Sequence, residues 1–220
     1  MFYVGERKGG KPHGKGTMTW STDVKYKGFK FYEGDWEHGK RHGKGTVIWT
    51  DGTVYEGDWK DGYEHGKGTM IWTNGDKYEG DFKYGCEHGK GIYTWADGGT
   101  YQGDWKDGRK HGKGTRTLAC GQTYKGDFKN GLYHGKGIYT WPDGYIYEGD
   151  FKHGDEHGKA TIQYSNGDVY EGSVKNRKKS GMGTMTYADG TVYEGQWKDG
   201  EPSGKKTKNY LIGTLYERLL

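Results

Sequence analysis

Seven histidines (His13, His42, His65, His88, His111, His134 and His157) each open the tetrapeptide His-Gly-Lys-Gly, except that Ala160 ends the last. Imidazoles, lysines and glycines together are the materials of metal centres and phosphate-binding loops. Neither chemistry fits the spacing. From His42 onward the histidines recur every 23 residues, in a unit that carries two strands, so successive rings should lie about 10 Å apart. A shared metal ion needs its ligand nitrogens about 2 Å away. A P-loop needs G-x-x-x-x-G-K-[ST] between a strand and a helix. Gly34 to Lys40 meets the glycine spacing, but Arg41 follows it, and Gly62 to Gly66 is one residue short. The histidines are expected to be loop residues that hydrogen-bond the turn.

The other charged residues are just as periodic. Lys44, Lys67, Lys90, Lys113, Lys136 and Lys159 predict a basic line along one edge. Asp35, Asp58, Asp81, Asp104, Asp127 and Asp150, with Glu56, Glu79 and Glu148, are expected on the polar face. A lysine edge can attract anionic lipid headgroups at about 1 kcal/mol per residue, which makes those six lysines candidate lipid-binding residues. A solvated, mixed-charge surface ranks ahead of that reading. Nucleic acid ranks lower, because carboxylates alternate with the aromatic rings that single strands would stack on. Active sites are singular, whereas every suggestive group here is repeated, and Cys86 and Cys120 lack a base of their own. No catalytic residue, cofactor or metal is expected.

Composition points the same way. The 220 residues include 44 glycines, 20 tyrosines, nine tryptophans and six phenylalanines, with a net charge of only +4. Sparse aliphatics would suggest disorder, but disorder goes with few aromatics and high net charge. Glycine and aromatic rings therefore take the place of an aliphatic core. Two thiols at different repeat positions, and no apolar leader segment or spanning run, suit a cytoplasmic protein.

The elements follow from the unit Tyr55 to Lys77, YEGDWKDGYEHGKGTMIWTNGDK. YEGDW alternates with period two, Tyr55, Gly57 and Trp59 against Glu56 and Asp58, and GTMIW does likewise. Two short strands joined by a Gly-rich loop around DGYEHGKG are predicted. Asn74-Gly75 is expected to supply the paired positive φ of a tight hairpin turn into the next unit. Glycines at 57 and 68 leave room for rings to lie over the backbone. The predicted fold is all-β: an elongated, twisted single-layer antiparallel sheet of stacked β-hairpins.

The pattern Y-E-G-x-W/F, G-x-x-x-G-x-G and W-x-D-G at a 23-residue period resembles the MORN-repeat family, from Tyr3 to about Tyr216. The resemblance implies a hairpin-repeat scaffold in cytoskeletal, ciliary or membrane-junction assemblies, without catalysis. Residues 1–31 form an atypical first repeat with a six-residue insertion, in which a bulge or short loop is expected near Phe29 to Phe31. Residues 32–204 are regular, with the aromatic pattern thinned at Arg116 and Leu118. Residues 205–220 turn apolar, and Tyr210, Leu211, Ile212, Leu215, Leu219 and Leu220 are candidates for dimerisation or docking. The remaining candidate is an aromatic ladder of Tyr32, Trp36, Trp49, Tyr55, Trp59, Trp72, Tyr78, Phe82 and Trp95, resumed by Tyr124, Phe128, Trp141, Tyr147 and Phe151. Tyr and Trp supply large rigid contact area, so this face is expected to hold an elongated protein partner, a helix or a peptide.

Overall fold

The computed structural model describes residues 1–20 and 28–211, with side chains as far as residue 203. It divides into two compact units, Met1–His111 and Gly112–Leu220. The first holds β1 (Phe2–Lys8), β2 (Lys11–Thr19), β3 (Phe29–Glu37), β4 (Lys40–Trp49), β5 (Val54–Lys60), β6 (Tyr63–Ile71), β7 (Lys77–Lys83), β8 (Cys86–Thr94) and β9 (Thr100–Lys106). Strand β10 (Arg109–Thr117) leads into the second. There follow β11 (Thr123–Lys129), β12 (Leu132–Thr140), β13 (Ile146–Lys152), β14 (Asp155–Gln163), β15 (Val169–Lys175), β16 (Lys178–Thr186), β17 (Thr191–Lys198) and β18 (Glu201–Leu211). No described residue is helical. Within each unit every strand pairs antiparallel with its neighbours in sequence, so the all-β hairpin array is realised in a single layer.

The strands are longer than the alternation suggests, and the reason is turn chemistry. Asp61 and Gly62 both have positive φ, 53° and 92°, the signature of a two-residue type I′ turn, which matches the twist of the strands it joins. His38-Gly39, Tyr84-Gly85, Asp107-Gly108, Asn130-Gly131, His153-Gly154 and Asp199-Gly200 do the same. The segment expected to be a Gly-rich loop is therefore strand, and His65 lies inside β6 opposite Asp58. At Asn74-Gly75 only the glycine has positive φ, at 91°. The Gly75 N–H donates to the Trp72 carbonyl (3.0 Å), and Trp72 N–H to the Asp76 carbonyl (2.9 Å). That is a three-residue loop, a type I turn closed by a left-handed glycine. Asn74 contributes its side-chain oxygen, which accepts from Asp76 N–H at 3.1 Å, in place of the expected φ.

Each hairpin also contains a wide bulge. Gly57 pairs with Gly68 and the next residue, Asp58, with His65, so Gly66 and Lys67 are extra on the second strand. Gly66 takes φ 59° to make the detour. In the N-terminal insertion, pairing jumps from Phe29–Trp49 to Phe31–Ile48, which places an irregularity at Lys30. Residues 21–27, including the apparent restart at Tyr26, lie outside the described residues.

Packing is built on one tyrosine per repeat. The Tyr55 ring lies across the Gly57–Gly68 pair, and its hydroxyl donates to the Asp58 carbonyl at 2.8 Å, with the His65 carbonyl at 3.4 Å. A Cβ on Gly68 would sit 2.5 Å from the Tyr55 hydroxyl oxygen and 2.6 Å from Cζ. Trp59 and Phe82 close on the ring edge-on, with centroids 5.2 and 5.0 Å away. Tyr32, Tyr78, Tyr101, Tyr147 and Tyr170 are likewise fully buried, and that burial pushes their hydroxyl pKa values up. The indole N–H of Trp59 reaches back to the Gly45 carbonyl at 3.0 Å, a link between hairpins that Phe82 cannot make.

Two glycine substitutions separate these constraints. Gly68→Ala forces a methyl against a ring held on both sides and should cost about 1–3 kcal/mol. Gly62→Ala meets open space but keeps a φ of 92°, a cost of about 1–2 kcal/mol. Urea denaturation should rank Gly68→Ala as the more damaging; the opposite order would contradict the ring-over-glycine account.

Candidate partner-binding face

Ten of the fourteen ladder residues are consumed by the fold. Tyr32, Trp36, Tyr55, Trp59, Tyr78, Phe82, Tyr124, Phe128, Tyr147 and Phe151 are all buried. Trp49, Trp72, Trp95 and Trp141 are only half-buried and keep part of their rings open. In the first unit Trp72 stacks on Tyr93 (5.3 Å, 30°), and Tyr93 tilts against Trp95 (4.8 Å, 44°). Of the ladder, the partly open surface is thus the tryptophan line at the strand ends together with Tyr93, and the tyrosine line is its floor; Tyr63 and Tyr84 are exposed separately at the turns.

Beside that floor runs a set of residues that sequence reasoning missed, the ones immediately before each repeat histidine or the serine that replaces it. In the first unit they are Pro12, Arg41, Glu64, Glu87 and Lys110; in the second, Tyr133, Glu156 and Lys179, the last preceding Ser180. Most lie opposite the second aromatic of their repeat, as in the pairs Trp36–Arg41, Trp59–Glu64 and Phe82–Glu87; Lys179 lies opposite Val174. Their backbone carbonyls anchor the next turn: Gly62 N–H donates to Arg41 (2.9 Å) and Gly85 N–H to Glu64 (3.0 Å). Their side chains lie on the rings. The Arg41 guanidinium sits 4.2 Å from Trp59 and 3.9 Å from Phe29, and donates through Nη2 to the Gly62 carbonyl at 2.7 Å. Lys110 Nζ lies 5.0 Å from Trp95. Burial pushes the Glu64 carboxyl up, against the opposing pull of its own N–H and Arg41. Burial also lowers the Arg41 pKa. Such placement strengthens electrostatics, because partly desolvated charges act through a lower dielectric than surface ones.

In the second unit Lys179 holds the equivalent place, 4.3 Å over Trp197. It lines a hollow of about 200 Å³ with Tyr164, Asp168, Met185, Tyr187, Trp197, Glu201 and Pro202. Burial lowers its pKa while Glu201 and Asp168 oppose the shift.

The lysine line has a definite structural role. Lys15, Lys44, Lys67, Lys113 and Lys136 reach the aspartates of the following hairpins, Asp35, Asp58, Asp81, Asp127 and Asp150, at 2.6–2.7 Å. Lys90 does the same with Asp104 at 2.5 Å. The other oxygen of most of these carboxylates accepts a bulge N–H within its own hairpin, as in Lys67 N–H to Asp58 at 2.8 Å. Lys159 differs, because Ser173 stands opposite it, and it makes no ion pair among the described residues.

The histidines pack against the next turn. His65 meets Tyr84 edge-on at 5.5 Å and His13 meets His38 at 5.5 Å. The Nδ1 atoms of His13 and His65 are buried without a hydrogen bond, so the expected hydrogen bond to the turn is missing there, whereas His42 Nδ1 lies 3.3 Å from the Glu37 carboxylate beside its turn. No described cluster of His, Cys, Asp or Glu could hold a metal ion. Cys86 and Cys120 are free and exposed. Of the C-terminal candidates, Ile212, Leu215, Leu219 and Leu220 lie outside the described residues, as do the side chains of Tyr210 and Leu211.

The MORN repeat model matches residues 3–23, 32–54, 55–77, 78–100, 101–121, 124–144, 147–169, 170–192 and 193–205, and the bulged hairpin with its facing glycines recurs in most of them, Ala160 taking the place of one glycine at 147–169. The chain belongs to the MORN-repeat family. No curated protein sequence matches this MORN array. Among solved structures it is similar to the TCP10 domain of Danio rerio CPAP in complex with a peptide of Danio rerio STIL. That likeness covers 95% of this chain and 99% of that one, at 12% identity and a TM-score of 0.51. The CPAP G-box domain, whose analysis suggested a role in centriole elongation, matches at 13% identity over 89% and 100% of the two chains, with a TM-score of 0.49. The uncomplexed Danio rerio TCP10 domain matches at 13% over 90% and 96%, with a TM-score of 0.45. Such identities speak to the fold alone.

The aspartate bridges make the MORN array acid-sensitive. Burial alone would raise these carboxyls, but lysine hydrogen bonds, bulge N–H bonds and nearby positive charge outweigh it and hold Asp58, Asp81, Asp127 and Asp150 below the usual range. A folded pKa below the unfolded value of about 3.9 gives stability that is complete above about pH 5 and lost as pH falls through the folded values. Urea titrations should show a plateau from pH 7 to about 5 and a fall below about 4. Asp81→Asn should lower the plateau and flatten the fall; an unchanged slope would contradict this role.

Proposed function

We propose that this MORN array is a non-catalytic scaffold that holds an extended segment of a protein partner on its aromatic face. One observation carries the reading: open rings at Trp49, Trp72 and Trp95 run beside the partly desolvated charges that precede the histidines. Rigid aromatic area next to desolvated charge is the make-up of a binding hot spot. The similar fold of the TCP10 domain was solved with a peptide bound, which supports the reading by analogy of fold. Nothing chemically suggestive in the described residues is singular, in keeping with a binding role.

A cytoplasmic, cytoskeletal or ciliary assembly is the setting that the family resemblance suggests, and self-association through residues 205–220 is part of the same proposal. The anionic-lipid reading has less behind it, because most of the candidate lysines are already committed to aspartates.

Affinity capture from native extract tests this with two variants. Trp72→Ala with Trp95→Ala should abolish capture of the partner, a loss of roughly 30-fold or more in affinity. Lys67→Ala with Lys90→Ala should retain it. Capture that survives the tryptophan changes and fails with the lysine changes would reverse the assignment.

A further inference from the structure

Four of the five residues before the repeat histidines of the first unit are charged, with the signs plus, minus, minus, plus: Arg41, Glu64, Glu87 and Lys110. Three of these, Arg41, Glu64 and Glu87, have no ion pair among the described residues. Glu64 is only 9% exposed. The Arg41 Nη1 is buried with no hydrogen-bond partner. An unanswered charge seated on aromatic rings gains most from a partner charge brought into the same low-dielectric groove.

Their spacing decides what can bring it. Successive positions are two strands apart, about 9.6 Å at about 4.8 Å per strand. A partner lying across the strands must present its charges at that interval and on one side. A β-extended peptide advances about 3.3 Å per residue, so the interval is three residues, but side chains three apart then point to opposite faces. Polyproline II has three residues per turn and a rise of about 3.1 Å, so every third side chain returns to the same side after about 9.3 Å. Grooves lined by aromatics are the usual receptors for that conformation, and Trp72 and Trp95 flank this one.

We propose that the first unit binds a proline-rich segment in the polyproline II conformation, one turn per repeat. Its acid, base, base and acid, at every third residue, face Arg41, Glu64, Glu87 and Lys110. This rests on the reading of the aromatic face as the docking surface and names the partner's conformation and charge order.

The test is fluorescence anisotropy with the full chain and labelled synthetic peptides. The matched probe is Asp-Pro-Pro-Lys-Pro-Pro-Lys-Pro-Pro-Asp. Controls are peptides with the same four charges separated by one proline or by three, the charge-inverted peptide, and an alternating Val/Lys/Asp peptide that favours β structure. The matched probe should bind about tenfold or more tightly than each control. Glu87→Lys, at a half-buried position, should shift preference toward a probe with Asp in place of its second Lys, with strand content by circular dichroism unchanged. Equal binding of matched and re-spaced probes overturns the register, as does a Glu87→Lys chain that keeps the original preference. If the β-type peptide binds, is lost with Trp72→Ala, and the proline peptides do not bind, the conformation is wrong while the docking face stands. If no peptide binds and native capture is also insensitive to Trp72 and Trp95, the docking face itself is refuted.

Discussion

A tyrosine ring lying across two facing glycines is the interaction on which the rest of this protein depends. Where the pair is bare, a Cβ on either glycine would collide with ring or backbone; in the Tyr147 repeat Ala160 stands opposite Gly149 and the ring is still buried. Its hydroxyl then ends at the place where the second strand must bulge, and the bulge supplies the N–H that the following aspartate accepts. A single-layer sheet has no second layer to cover its apolar face. This chain covers that face with rings laid flat and closed edge-on by the aromatics of neighbouring hairpins, a geometry worth about 0.5–1.5 kcal/mol per pair beyond the buried area.

From this follows a division of labour inside the repeat. Tyrosine, glycine, aspartate, lysine and the second aromatic are tied to one another within and between hairpins, and none can vary freely. The residue before the histidine is tied to the next turn through its backbone carbonyl, and by its side chain only in some repeats, as at Arg41. That position holds Arg, Glu, Lys, Tyr or Pro in the same hairpin. It is therefore where one repeat can differ from the next in what it presents.

Much of this was legible in the sequence. The 23-residue period, the strand alternation and the pairing of glycine with aromatics announced an antiparallel hairpin array, because these depend on side-chain volume and period alone. The turns were misread because Asp-Gly or Asn-Gly stands at both turns of the repeat that begins at Tyr55, and both φ values are positive only at the first, Asp61-Gly62. At Asn74 the side chain caps the turn instead. Taking HGKG for a loop hid the residue before it: Glu64 reads as solvent-facing in a loop, but in β6, opposite Trp59, it must lie on the ring ladder. Its signal was available, since it changes type from repeat to repeat beside a nearly constant histidine. The lysine line was read as an open basic edge because pairing to the following hairpin's aspartate depends on register, which the bulge sets.

The account makes the tyrosines the inaccessible floor and the tryptophans with their flanking charges the surface. Hydroxyl-radical footprinting of the folded chain, read by mass spectrometry at each repeat, tests that claim most directly. Trp49, Trp72 and Trp95 should be oxidised readily, while Tyr32, Tyr55 and Tyr78 stay protected until the chain unfolds. Tyrosines as reactive as those tryptophans in the native protein would contradict it.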